Sequence, residues 1–129
     1  MPSLKQIYED STSVLEFYVN NELKLVKNVD PRTTLLEYLR QVGYKGAKLV
    51  CGEGGCGACT VCIAEYDTNK QMVKYRSANA CLIPLCSVHN KQVVTIEGIG
   101  SQEVPHALQV VIFGYKKKKT KRFIYFLLI

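Results

Sequence analysis

Cys51-Gly-Glu-Gly-Gly-Cys56-Gly-Ala-Cys59 sets three thiols in nine residues at C-x4-C-x2-C spacing, and Cys81 follows 22 residues after Cys59. Thiolates are soft ligands, and this spacing is the plant-type pattern for a [2Fe–2S] cluster, in which each iron takes tetrahedral sulfur ligation. Three sulfurs from one tight loop and a fourth from a distant segment enclose such a group and pin two parts of the chain. Gly52, Gly54, Gly55 and Gly57 permit positive φ and close backbone approach. Amide N–H groups can then turn toward sulfur. The cluster and its thiolates form an anion, so such donors stabilise the reduced form and raise the potential. The chemistry expected is one-electron transfer, with Cys51, Cys56, Cys59 and Cys81 as the ligands.

Two rival readings of these cysteines fare worse. Buried inert thiols do not call for four glycines in nine residues. A structural zinc site usually pairs its ligands as two short C-x2-C hooks, whereas this chain has one three-cysteine hook and a lone distant cysteine. Cys62 is expected as a small core residue on a strand face shared with Thr60 and Ala64. Cys86 is expected to pack beneath the Cys81 loop. His89 and His106 lack partner spacing and are expected on the surface. Nothing marks a general base, an oxyanion hole or a site for an organic substrate, so no catalytic residue is assigned.

The elements that must position the thiols follow from pattern. Val14 to Val19 alternates Leu15, Phe17 and Val19 with polar neighbours, a strand with one apolar face. Asn20-Asn21 predicts a hairpin turn into a second strand with Leu23 and Leu25. Asp30-Pro31 ends it. Thr34 followed by Glu37 fits a capping box, and Leu35, Leu36, Leu39 and Val42 continue at helical spacing. Gly43 suits a left-handed cap, which predicts a helix over 34–42 covering a sheet. Leu49 to Cys59 is a loop, and Thr60–Tyr66 and Met72–Arg76 form a hairpin across Asp67–Lys70. Asn79–Cys86 is a loop with a short helix, and Gln92–Ile96 is a last strand. The fold class is α+β, a mixed sheet packed on one main helix.

The net charge of +6 sits in a tail, because Lys116–Lys119, Lys121 and Arg122 carry six charges and the remainder is balanced. Met1 to Tyr115 is therefore formally neutral, and the expected organisation is a polar lead-in at 1–13, a domain at 14–109 and a basic and apolar tail at 110–129. No basic stripe with interleaved aromatics supports nucleic-acid binding. No apolar run approaches the roughly 18 residues of a membrane helix, and Met1 to Asp10 lacks an apolar signal core. A soluble, cytoplasmic protein with no membrane partner is expected. Six cysteines in such a compartment point to metal or redox chemistry in preference to disulfides.

Four blocks carry a resemblance. Leu35-Leu-Glu-Tyr-Leu-Arg40, Cys51 to Thr60, Ser77-Ala-Asn-Ala-Cys-Leu-Ile-Pro84 and Thr95-Ile-Glu-Gly-Ile-Gly100 resemble the N-terminal domain of the xanthine dehydrogenase and aldehyde oxidase family. The resemblance runs from about Val14 to Gln109, and the four cysteines fall on that family's ligand positions. It implies a β-grasp, ferredoxin-like fold and a role as the relay next to FAD in a molybdenum hydroxylase. A second-cluster domain, an FAD domain and a molybdopterin domain would be the partners. FAD and molybdopterin belong to those other parts, which this chain lacks, so alone it should oxidise nothing without a redox partner. His106 to Gln109 resembles the linker into the second-cluster domain, but no cysteine follows Cys86. The Lys, Phe, Ile, Tyr and Leu of the tail are largely encoded by A/T-rich codons, which points to translated intron or a truncated gene model. The alternatives are a genuine polybasic tail and a nuclear-localisation signal. A free-standing ferredoxin is the alternative function, although a neutral domain offers no charge patch to steer a reductase.

Overall fold

The computed structural model describes residues 14–101 and 103–110. The expected lead-in at 1–13 and the tail beyond Val110 lie outside these residues.

Chain order runs β1 (Leu15–Val19), β2 (Glu22–Val26), α1 (Leu35–Gln41), β3 (Thr60–Asp67), β4 (Met72–Asn79), a 3-10 turn (Leu85–Val88), β5 (Gln92–Val94) and α2 (Ile96–Ile99). The five strands form one sheet in the order β2-β1-β5-β3-β4. β1 and β5 are parallel and every other pair is antiparallel. This is the mixed sheet with one main helix that the sequence predicts.

Local chemistry accounts for the elements. Asn20 and Asn21 turn the first hairpin with φ of 50° and 71°, the left-handed pair that matches strand twist. Thr34 caps α1: its hydroxyl accepts from the Glu37 N–H at 3.2 Å, and the Glu37 carboxylate accepts from the Thr34 N–H at 2.7 Å. Gly43 closes the helix at φ 100°. The Tyr44 N–H reaches the Leu39 carbonyl at 2.8 Å and the Gly43 N–H reaches Arg40 at 3.3 Å, a Schellman motif.

The core lies between the helix and one sheet face. Leu35, Leu36, Tyr38 and Leu39 pack with Leu15, Phe17, Val19, Val61, Val93, Leu85 and Val88. Phe17 and Tyr38 meet edge to face at 5.4 Å. Each fully buried leucine or phenylalanine contributes roughly 1.5–3 kcal/mol, so this layer fixes where the helix sits.

The last strand stops at Val94, short of the expected Ile96. Thr95 leaves the sheet because Asn20 claims it: the Asn20 Oδ1 accepts its N–H at 2.9 Å and the Asn20 Nδ2 donates to its hydroxyl at 2.8 Å. The chain then turns into α2. The β3–β4 hairpin instead runs longer than expected, to Asp67 and Asn79, and an Asp67–Lys74 ion pair spans its turn end. No helix among the described residues is long and apolar enough to cross a membrane.

Candidate iron–sulfur centre

The hook of residues 51–59 and the segment 79–85 meet at the N-terminal end of α1. A helix start leaves several amides without partners, and here the second segment supplies them. The Leu35 N–H donates to the Ile83 carbonyl at 2.8 Å and the Leu36 N–H to the Ala80 carbonyl at 3.0 Å. The Leu85 N–H answers to the Thr33 carbonyl at 2.9 Å, and Thr34 bridges Pro84. Cys81 is held inside this staple. The Ala80 N–H donates to the Cys59 carbonyl at 3.2 Å, which ties the staple to the hook. The Lys48 N–H to Ala58 carbonyl bond, 2.9 Å, closes the base of the hook.

The four predicted ligands share this region with unequal exposure. Cys59 and Cys81 are buried, Cys51 is half-buried and Cys56 is exposed. The Cys59 and Cys81 sulfurs lie 3.3 Å apart. Cys51 receives the Glu53 N–H at 3.5 Å. That donor first, then the amide and thiol of Cys56 and the amide of Gly55, hold the Cys51 thiol down at about 6. The Cys81 thiol is pushed up, first by its hydrogen bond with the Cys59 thiol and then by burial, against the pull of the Gly54 N–H. The Glu53 N–H thus serves the Cys51 sulfur directly, and the neighbouring amides of Gly54, Gly55 and Cys56 favour the thiolate forms electrostatically. Gly52, Gly54 and Gly57 reach this curvature with φ of 71°, 77° and 70°, a region that costs other residues energy.

The Cys59 and Cys81 sulfurs form one close pair, and the Cys56 thiol is among the groups that favour the Cys51 thiolate. Among the described residues no three His, Cys, Asp or Glu side chains gather as a single metal ion would need. Tetrahedral zinc draws four sulfurs around one point, whereas a two-iron cluster takes two thiolates on each iron. One close thiol pair beside a hook whose amides favour thiolate fits the second group.

The remaining candidates fall outside this region. Cys62 is half-buried and outside the core, contrary to expectation. It lies on the sheet face away from α1, in an open apolar hollow with Tyr75, Val94, Ile96 and Ile99. Odd-numbered Val61 and Ile63 face the helix instead, so the face shared by Thr60 and Ala64 is not the main core face. Cys86 is exposed on the 3-10 turn and does not pack beneath Cys81. There Leu85 and Val88 take the buried positions. His106 is exposed, and His89 is exposed with its Nδ1 accepting the Glu16 N–H at 3.2 Å.

Sequence reasoning missed Asn79 and Thr60. Their positions face each other across β3 and β4. The Asn79 Nδ2 donates to the Gly54 carbonyl at 2.8 Å, and the Thr60 hydroxyl donates to the Gly57 carbonyl at 2.7 Å. Both brace the hook from the sheet. Their nearness to the cysteines was the available signal.

Residues 17–86 match the 2Fe-2S iron-sulfur cluster binding domain. The chain belongs to that family. Xanthine dehydrogenase of Emericella nidulans is 46% identical over 107 residues, 83% of this chain and 8% of its own length. Xanthine dehydrogenase/oxidase of Rattus norvegicus is 52% identical over 74% of this chain and 7% of its own. Human aldehyde oxidase is also 52% identical, over 71% of this chain and 7% of its own. The chain thus spans less than a tenth of these relatives. Among solved structures, the aldehyde oxidoreductase of Desulfovibrio desulfuricans superposes with a TM-score of 0.66 at 30% identity, covering 81% of this chain and 11% of its own. Quinoline 2-oxidoreductase of Pseudomonas putida 86 gives 0.67 at 25% identity, covering 81% and 59%. The fold is the ferredoxin-like β-grasp, and the cofactor the family binds is the [2Fe–2S] cluster.

Proposed function

We propose that this chain holds a [2Fe–2S] cluster on Cys51, Cys56, Cys59 and Cys81 and passes single electrons as the FAD-proximal relay of a xanthine dehydrogenase or aldehyde oxidase-type oxidoreductase. The observation that carries the ligand assignment is the close Cys59–Cys81 sulfur pair beside the hook in which Cys51 accepts the Glu53 N–H. The cluster supplies one-electron redox chemistry. The chain's own residues hold the sulfurs, present N–H donors to them and wall off one side with α1.

A built-in relay is favoured over a diffusing carrier by the rim of the hook. Leu49, Val50 and Leu82 are 60%, 69% and 56% exposed around the thiols. Such a rim suits a neighbouring domain held against it, whereas a steered carrier uses a charged patch. The partners proposed are therefore an FAD domain and a second-cluster domain, in the cytoplasm. Residues 14–109 are proposed as the unit that performs the relay.

Anaerobic reconstitution with iron and sulfide tests the assignment. The expected product is coloured, contains two irons and two sulfides per chain by the chemistry of the cluster, and gives a low-temperature EPR signal after dithionite. A colourless protein with no bound iron or sulfide defeats it.

A further inference from the structure

We propose that Asn79 is a positioning residue that fixes the Gly54–Gly55 peptide with its N–H turned toward the cysteine sulfurs, and thereby raises the reduction potential of the cluster. This inference rests on the ligand assignment above.

The chain of contacts is short. Asn79 is the last residue of β4, half-buried, and two positions before Cys81. Its Nδ2 donates to the Gly54 carbonyl at 2.8 Å. A carbonyl only accepts, so the NH2 of Asn79 must face it, and the Oδ1 faces the other way. The Thr60 hydroxyl lies 3.2 Å from that Oδ1 and 2.7 Å from the Gly57 carbonyl. The single hydroxyl proton of Thr60 goes to the nearer acceptor, the Gly57 carbonyl, and braces the next turn of the hook.

A trans peptide is planar, and its C=O and N–H point in opposite directions. No cis peptide bond occurs. Holding the Gly54 carbonyl toward Asn79 therefore turns the Gly55 N–H the opposite way, and that amide is one of the donors that favour the Cys51 thiolate. Gly54 has φ 77°, a left-handed backbone that favours glycine, so the residue carries no side chain that could fix its own orientation. Without an outside hold, a peptide between two glycines flips at little cost. Asn79 supplies that hold.

Donors aimed at cluster or thiolate sulfur stabilise the more negative, reduced state. Releasing the Gly54–Gly55 peptide weakens one donor and favours the oxidised state. Asn79→Leu keeps the branching at Cγ and removes the hydrogen bond. Asn79→Gln keeps the donor on a longer arm. The full chain and both variants are reconstituted, assayed for iron and sulfide, and titrated redox potentiometrically with EPR and visible circular dichroism.

Expected is full loading of Asn79→Leu, a more negative midpoint potential, a changed dichroism spectrum and a partial return of the potential in Asn79→Gln. Full loading with unchanged potential and spectrum overturns the inference. So does failure of both variants to load while the unsubstituted chain loads, because Asn79 then maintains the hook itself and not the direction of one amide. Failure of the unsubstituted chain to load overturns the ligand assignment instead.

Discussion

Cys56 and Cys59 stand three residues apart yet one is exposed and the other buried. The hook passes from solvent into the sheet at Thr60, and its sulfurs follow that path. Serine in place of Cys81 keeps the size and removes the thiolate. Cys81→Ser should cut bound iron by more than the roughly 10–100-fold typical of losing an outer-shell partner, measured by iron content after reconstitution and gel filtration. Cys62→Ser and Cys86→Ser should load fully, because one side chain lies in the hollow beyond the sheet and the other in solvent. Loss of iron in either would mean that the ligand set is wrong. The proposed ligand residues could be named from the sequence because spacing restricts which sulfurs can converge. The brace by Asn79 was not, since an asparagine reaching a glycine carbonyl 25 positions away leaves no periodicity behind.

Helix α1 is where local rules and the site coincide. Thr34→Ala removes the cap and should cost about 1 kcal/mol, read from a urea denaturation midpoint with unchanged slope. The Glu37 carboxyl is held below its usual range, chiefly by the Thr34 N–H and then by the Thr34 hydroxyl. A depressed carboxyl adds stability above its unfolded pKa, and that part is lost as pH falls from the ordinary glutamate range through the lower folded value. Glu37→Gln should therefore flatten the acid side of the stability–pH profile, and a variant profile parallel to the original down to the lowest pH would refute the assignment. Helix, hairpin turn and both caps were legible because each is written in neighbouring residues. The early end of β5 was not. It depends on Asn20, 75 positions before Thr95, and a Val-Val-Thr-Ile run has the composition of a strand to its end.

At the scale of the whole molecule, three distant stretches lock together around Thr95, which is 1% exposed. The Asn20 amide holds it, its hydroxyl donates to Glu97, and the other Glu97 oxygen accepts the Gly46 N–H at 2.6 Å. The first hairpin, the irregular segment leading into the hook and the turn after β5 thus share one hydrogen-bonded knot. Gly98 backs it at a distance where an added methylene would overlap the Asn20 side chain. Gly98→Ala should cost roughly 1–3 kcal/mol by overpacking, seen as a lower thermal midpoint of the reconstituted chain.

The staple between residues 79–85 and the start of α1 leaves the helix and the fourth thiol with common hydrogen bonds. Fraying of that first turn slackens the grip on Cys81 before the sheet has parted. On warming, the brown colour should fade at a lower temperature than the far-ultraviolet signal of the strands, so the pigment would act as the molecule's own early thermometer.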